Sequence, residues 1–188
     1  MPLIRWRFAV VALVLVAVAF PAAALGPPTE YGLAGGAAHV LDDERTGLGG
    51  LELRFEPFRL PLGRDLPIVP ALGLTVDGDG GTYAYVSFRL DAMVALAALR
   101  GEPAAATAPE RRWRLVGFSG LGHHRVGDGG RDLGGPLEFR SGVELARRLG
   151  PRTRLALSYD HLSNAGIYRS NRGTESLVLV WSWAPFNR

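Results

Sequence analysis

The chain of 188 residues contains no cysteine and no lysine. Without cysteine it cannot form disulfides, bind a metal through thiolates or use a thiol nucleophile, so any nucleophile must be an oxygen or a nitrogen. Because every basic residue is arginine, we attribute the missing lysine to a composition bias and predict no nucleic-acid partner. The formal net charge is only +3, and two of the positive charges are Arg5 and Arg7. Net charge therefore predicts no long-range attraction of a charged partner.

Long apolar runs are also lacking. The run from Phe8 to Phe20 is shorter than the ~20 residues that a membrane-spanning helix needs, and it follows Arg5 and Arg7 and precedes Pro21 and three alanines. This order is typical of a secretory signal peptide. We therefore predict a signal peptide over residues 1–24, cleaved after Ala24, and one mature domain over residues 25–188. A buried N-terminal helix or a membrane anchor is the alternative.

Glycine, in contrast, is abundant at 25 of 188 residues, and alternation of apolar with polar residues dominates after residue 24. Such alternation in short segments bounded by Gly, Pro and Asp is typical of half-buried β-strands. Between Gly50 and Pro57, for example, Leu51, Leu53 and Phe55 alternate with charged residues. We predict about eight strands, at residues 30–40, 50–57, 67–77, 81–91, 111–123, 137–145, 152–163 and 174–185.

These strands predict an all-β fold, an eight-stranded antiparallel up-and-down barrel, because closure removes exposed strand edges. In a transmembrane barrel of the outer membrane the apolar face contacts lipid, whereas a soluble, lipocalin-like barrel turns that face inward. Charges of both signs on the polar faces could pair in a narrow lumen and favour the membrane barrel. The aromatic residues Trp181, Trp183 and Phe186 could form an interfacial girdle and favour it as well.

Residues 92–108 do not follow the strand pattern. Met93, Val94, Leu96 and Leu99 precede Gly101, and a proline and an alanine-rich run follow. We interpret this segment either as an extended strand end followed by a turn or as one short helix. In both cases we expect its role to be structural.

The most informative polar residues lie between Tyr159 and Glu175. In an extended chain His161 and Ser163 share a face, ~7 Å apart, because each residue rises about 3.3 Å. If the last two strands form a hairpin, Glu175 lies directly opposite His161, since both are seven residues from its centre. In a serine hydrolase a carboxylate orients a histidine, and the histidine accepts the proton of a serine. The three residues have this arrangement.

The chemistry of each group predicts its role. Ser163 is the candidate nucleophile, His161 the base that accepts its proton, and Glu175 the acid that fixes the tautomer of His161. The side chain of Asn164 and backbone N–H groups as far as Gly166 could stabilise the oxyanion of a tetrahedral intermediate. We predict no metal and no cofactor for this site.

The alternative is that His161 and Ser163 merely end a strand, while Glu175 pairs with a loop arginine, Arg169 or Arg172. The face that carries the three residues argues against it. Counting by twos along both strands places them on the apolar face, which in a membrane barrel contacts lipid, and ionisable groups there are costly unless they function. Because both termini of such barrels are periplasmic, the site falls near the external surface, where the leaflet is lipopolysaccharide.

The His-x-Ser-Asn motif at 161–164, the Asn-x-Gly motif at 171–173 and Glu175 resemble the lipid A 3-O-deacylase (PagL) family. The likeness in motif is confined to about residues 159–175, although the signal peptide and the strand count agree over the whole chain. The resemblance implies an eight-stranded outer-membrane barrel with a Ser163, His161 and Glu175 triad on its outer wall. It also implies that Asn164 contributes to the oxyanion site.

The resemblance further implies hydrolysis of the ester-linked 3-hydroxyacyl chain at position 3 of lipid A. The expected partners are lipopolysaccharide as substrate and the lipid of the outer membrane of a Gram-negative bacterium, and a homodimer is compatible with the pattern. Two alternatives stay open. One is a small outer-membrane barrel with a structural or binding role and no activity, and the other is a soluble periplasmic esterase of the lipocalin type.

Overall fold

The computed structural model describes residues 25–61, 65–102 and 111–185. The predicted signal peptide, residues 1–24, lies outside these ranges, as does Phe186 of the predicted girdle. Within the described residues the chain forms nine strands and one helix: β1 (Glu30–Ala38), β2 (Thr46–Arg54), β3 (Phe58–Pro61), β4 (Asp65–Asp77), β5 (Thr82–Asp91), α1 (Ala92–Arg100), β6 (Trp113–Arg125), β7 (Leu137–Arg148), β8 (Thr153–Ser163) and β9 (Thr174–Trp183).

Eight of these strands close into an antiparallel barrel. Neighbouring strands pair in chain order, except that β2 pairs with β4, and β9 returns to pair with β1. The predicted eight-stranded up-and-down barrel is confirmed. The ninth strand, β3, was not predicted; it has four residues and pairs with β4. Four residues that follow one proline and end in another are too few to establish an alternating pattern.

The barrel has two distinct ends. β1 begins and β9 ends at one of them, which we call the terminal end. At the opposite, distal end the strands are joined by the segments 39–45, 78–81, 126–136 and 164–173. His161 and Ser163 belong to the last three residues of β8, so both lie at the distal end.

The outer face of the barrel is apolar. Along β8 and β9 buried and exposed residues alternate, and the exposed residues include Leu155, Leu157, Leu177 and Leu179. Large aromatic side chains cluster outward at the terminal end and are 39–51% exposed: Tyr31, Trp113, Trp181 and Trp183. Such an aromatic girdle marks a membrane interface. The soluble, lipocalin-like alternative is wrong, because that barrel would turn the apolar face inward.

The lumen contains paired charges, as predicted. Arg54 bonds Glu52 at 2.8 Å and Glu144 at 3.3 Å, and it also contacts Glu30. Arg89 forms ion pairs with the same two acids, Glu52 at 3.0 Å and Glu144 at 2.6 Å. All of these groups except Glu30 are buried. Because buried charges require partners, the network fixes the interior of the barrel.

Residues 92–100 form the short helix α1, so the helical interpretation of this segment is confirmed as far as residue 100 and the extended one is wrong. The carboxylate of Asp91 caps the helix by accepting bonds from the N–H groups of Met93 and Val94. Gly101 ends it in the left-handed conformation at φ 83°, which glycine adopts without steric cost. Residues 103–108 lie outside the described ranges. No helix in the described part of the chain is long and apolar enough to cross a membrane.

Candidate active site

His161 and Glu175 face each other across β8 and β9. The two residues are direct partners in the sheet register, as the hairpin count predicted. Nδ1 of His161 lies 2.9 Å from Oε1 of Glu175. The side chain of His161 is 48% exposed and that of Glu175 is 20% exposed, so the pair is open to the outer surface of the barrel.

The hydrogen bond to Glu175 determines which ring nitrogen of His161 is free. An ionised carboxylate can only accept a hydrogen bond, so the contact favours the tautomer with the proton on Nδ1. Nε2 then carries a lone pair and can accept a proton. Among the described residues Glu175 makes no ion pair with Arg169 or Arg172, the partners that the alternative interpretation required.

Ser163 lies beside this pair. It is the last residue of β8, two residues beyond His161 on the same face, and it pairs with Phe139 of β7. Within the described residues the Ser163 hydroxyl makes no hydrogen bond to the His161 ring. In unliganded enzymes such bonds are often long and tighten only when substrate binds. The structure thus brings His161 and Glu175 into contact and leaves Ser163 adjacent to them.

Asn164 and Gly166, the predicted oxyanion donors, are engaged within the distal loops. The Asn164 side chain is fully buried, and its amide donates to the carbonyls of Leu133 at 2.9 Å and Ser170 at 2.7 Å. Its Oδ1 accepts from the N–H of Gly166 at 3.0 Å. These bonds tie together the segments 126–136 and 164–173. An oxyanion role for Asn164 and Gly166 stays a prediction, for which this structure supplies no free side-chain donor.

Asn171 is a candidate donor that the sequence analysis did not assign. Its Oδ1 accepts the N–H of Asn164 at 3.1 Å, and the residue is otherwise exposed. Because the oxygen is the atom engaged, the amide NH₂ group keeps two donors for a ligand. The only sequence signal for this residue was its place in the Asn-x-Gly motif.

Gly173 lies against the His161 ring. Its φ is +61°, and a Cβ added at this position would stand 2.9 Å from Cε1 and 3.4 Å from Nε2 of His161. The same Cβ would come within 3.2 Å of the carbonyl of Leu162. A side chain here would therefore displace the ring, so the absence of one keeps His161 in place. Sequence reasoning missed this contact, because it depends on how the distal loop folds back.

Three comparisons with known proteins bear on this chain. The family model described as Lipid A 3-O-deacylase (PagL) matches residues 83–184, more than half of the chain. The crystal structure of the outer membrane enzyme PagL is similar with a TM-score of 0.56 and 18% sequence identity, covering 82% of this chain and 98% of that one. Neisserial surface protein A is similar with a TM-score of 0.47 and 10% identity, over 84% of this chain and 95% of that one. No curated protein sequence matches.

The match to the family model includes the strands and loops that carry the candidate site, β8, β9 and the segment 164–173. The structural comparison agrees with the barrel architecture, and the apolar outer face with its aromatic girdle agrees with a location in a membrane. The chain therefore belongs to the lipid A 3-O-deacylase (PagL) family and is a β-barrel of the Gram-negative outer membrane.

Proposed function

We propose that this protein hydrolyses the ester that links a 3-hydroxyacyl chain to position 3 of lipid A. The observation that carries the proposal is the 2.9 Å contact between His161 and Glu175 on the outer wall, beside Ser163. An ionisable pair that faces lipid is costly and is expected only where it has a function. Membership of the family supports lipid A as the substrate.

The proposal includes an orientation. We infer that the terminal end faces the periplasm and the distal end the cell exterior, as in outer-membrane barrels generally. The site at the distal end of β8 then lies in the outer leaflet, where lipid A is anchored. We also propose that residues 1–24 are a signal peptide removed on export, which leaves residues 25–188 as the mature barrel.

In the acylation half-reaction, Oγ of Ser163 attacks the ester carbonyl carbon and its proton passes to Nε2 of His161. Glu175 stabilises the imidazolium that forms. The tetrahedral intermediate then collapses: the bond to the sugar oxygen breaks, and that oxygen takes the proton from His161. The products of this half are a lipid A with a free 3-hydroxyl group and an acyl ester on Ser163.

Hydrolysis of the acyl ester repeats the same steps with water. His161 accepts a proton from water as the hydroxyl attacks the acyl carbon, and Oγ of Ser163 leaves with that proton. A free 3-hydroxy fatty acid is released and the enzyme is restored. During both attacks the carbonyl oxygen carries negative charge, and we assign its stabilisation to the NH₂ group of Asn171, an exposed donor of the segment 164–173.

Mass spectrometry of lipid A tests the proposal. Cells that make lipid A with a 3-O-acyl chain should lose that one chain when they express the wild-type protein. Cells with an empty vector or with the Ser163→Ala variant should keep it. An unchanged acyl pattern despite a folded wild-type barrel in the outer membrane would instead favour a structural or binding protein without activity.

Replacing Glu175 with alanine should reduce deacylation less than replacing Ser163. The carboxylate orients His161 but does not itself exchange a proton with substrate, so its loss leaves part of the catalysis intact. We expect activity about 10- to 100-fold above that of Ser163→Ala. Initial rates in detergent micelles measure this, and equal losses in the two variants would contradict the orienting role.

Replacing Gly173 with alanine should impair catalysis through the position of His161. The added methyl group would stand 2.9 Å from Cε1 of the ring, and a misplacement of about 1 Å can cost a hundredfold in rate. Gly129→Ala is the matched control, because Gly129 has a similar φ of +80° and open space at the Cβ position. Both variants place an alanine at a positive φ, so equal activity in the two would show that the contact with His161 is unimportant.

A further inference from the structure

Two serines extend the His161–Glu175 pair into a polar row across the outer wall. In the sheet register Ser119 of β6 is the partner of Ser141 of β7, and Ser141 is the partner of His161 of β8. His161 is in turn the partner of Glu175 of β9. Directly opposed residues share a face of the sheet. Four adjacent strands therefore present four polar side chains side by side on the surface that faces lipid.

On β6 and β7 the outward-facing residue pairs on either side of Ser119 and Ser141 are apolar. Toward the distal end Leu121 is paired with Phe139. Toward the terminal end Gly117 is paired with Val143, which is 53% exposed. On β6 and β7 the two hydroxyls thus have apolar neighbours toward both ends of the barrel, and they continue the polar row that His161 and Glu175 begin.

The two hydroxyls bond each other. Oγ of Ser119 and Oγ of Ser141 are 2.9 Å apart on the exposed face. A serine hydroxyl has one proton and two lone pairs. The bond between the two hydroxyls uses the proton of one serine, so the proton of the other serine and the remaining lone pairs are available to a ligand. The pair can therefore donate one hydrogen bond to an incoming hydroxyl group and accept one from it. In a lipid environment such a ligand is favoured, because an unpaired polar group there is costly.

The depth of the pair identifies which part of the substrate can reach it. Ser141 is the diagonal neighbour of Ser163, since Phe139 is the direct partner of Ser163. Ser141 lies two residues nearer to the terminal end, ~7 Å along the strand, and is therefore deeper in the membrane under the proposed orientation. The sugar of lipid A lies toward the exterior, whereas the acyl chain runs from the ester at Ser163 into the membrane. The acyl chain, and not the sugar, passes Ser141 and Ser119.

We propose that Ser119 and Ser141 form a subsite that binds the 3-hydroxyl group of the acyl chain to be removed, and that this subsite makes the enzyme select hydroxylated chains. The inference rests on the proposed function. The 3-hydroxyl oxygen is three bonds from the ester carbonyl carbon. Diagonal neighbours in an antiparallel pair are ~7–8 Å apart, a distance that these bonds and a hydrogen bond can bridge. The contact positions the carbonyl carbon over Ser163.

Two matched substrates test the subsite. One is lipid A with a 3-hydroxyacyl chain at position 3, and the other carries the same chain without the hydroxyl group. The wild-type protein should favour the first by about tenfold in kcat/KM, the value of one hydrogen bond. Ser141→Ala should lower kcat/KM by about this factor on the hydroxylated substrate. It should leave kcat/KM on the other substrate unchanged. Ser119→Ala should behave in the same way, since either change breaks the pair, whereas Ser141→Thr should retain the preference.

Thr153→Ala is the control, because it removes a hydroxyl from the same face of β8 at its terminal end. This variant should leave both rates unchanged, and heat-modifiable gel mobility confirms that each variant is folded. Equal losses of Ser141→Ala on the two substrates, or no loss on either, overturn the subsite. A wild-type enzyme that cleaves both substrates equally also overturns it and leaves the proposed function standing. A folded wild-type protein that cleaves neither overturns the proposed function, and the subsite with it.

Discussion

Replacing Ser163 or His161 with alanine should lower the rate of lipid A deacylation by at least about a thousandfold while the barrel stays folded. Loss of the nucleophile or of its base removes nearly all of the contribution of a catalytic triad, because its members act as a unit. Both side chains face away from the lumen, and neither takes part in the buried ion pairs. Deacylation in detergent micelles measures the effect, with heat-modifiable mobility as the check on folding.

The double variant distinguishes a shared mechanism from independent roles. If Ser163 and His161 act in one step, the protein with both alanines should be scarcely slower than either single variant, whereas independent contributions would multiply. Ser170→Ala is the matched control, since it removes an exposed serine hydroxyl of the same hairpin and keeps the backbone carbonyl that Asn164 binds. A folded Ser163→Ala protein with near wild-type activity would show that the nucleophile is misassigned.

Replacing Glu52 with glutamine should destabilise the barrel strongly. Glu52 accepts bonds from Arg54 at 2.8 Å, Arg89 at 3.0 Å and the hydroxyl of Tyr85 at 3.0 Å, and it is buried in the lumen. Removing one member of a buried ionic network leaves charge without a partner in a medium of low dielectric constant, which costs about 3–5 kcal/mol. Urea titration, followed by heat-modifiable mobility, should show a lower unfolding midpoint.

Glu44→Gln is the control for that loss of charge. Glu44 lies exposed in the distal segment 39–45, where the loss of one carboxylate changes stability by less than about 0.5 kcal/mol. If Glu52→Gln unfolds at the same urea concentration as Glu44→Gln and the wild type, the ion pairs of the lumen do not stabilise the barrel.

Much of the fold was predictable because one simple rule governs it. In a barrel that separates lipid from a packed lumen, every strand alternates between two environments, so the period of two appears directly in the sequence. The same rule predicted that His161 and Glu175 face each other, since counting from the centre of a hairpin gives its register. A short helix was one of two interpretations of residues 92–108, and the Asp91 cap that selects the helix over the extended segment was recognised only in the structure.

The contacts that the sequence did not predict are those between segments distant in the chain. Asn164 binds the carbonyl of Leu133, 31 residues earlier, and no local pattern reveals that its donors are engaged there. The contact of Gly173 with the His161 ring depends on the path of the loop. The bond between Ser119 and Ser141 requires the register of two strands joined by a long connection. Local periodicity carries no information about any of these three.

Covalent labelling identifies the nucleophilic residue directly. The purified barrel in detergent is treated with an alkyl phosphonofluoridate, which phosphonylates an activated serine, and the modified residue is located by peptide mass spectrometry. We expect a single adduct on Ser163, loss of lipid A deacylation in proportion to labelling, and little labelling of the His161→Ala variant. Full inhibition with the adduct on another residue, or undiminished deacylation after complete modification of Ser163, would show that Ser163 is not the nucleophile.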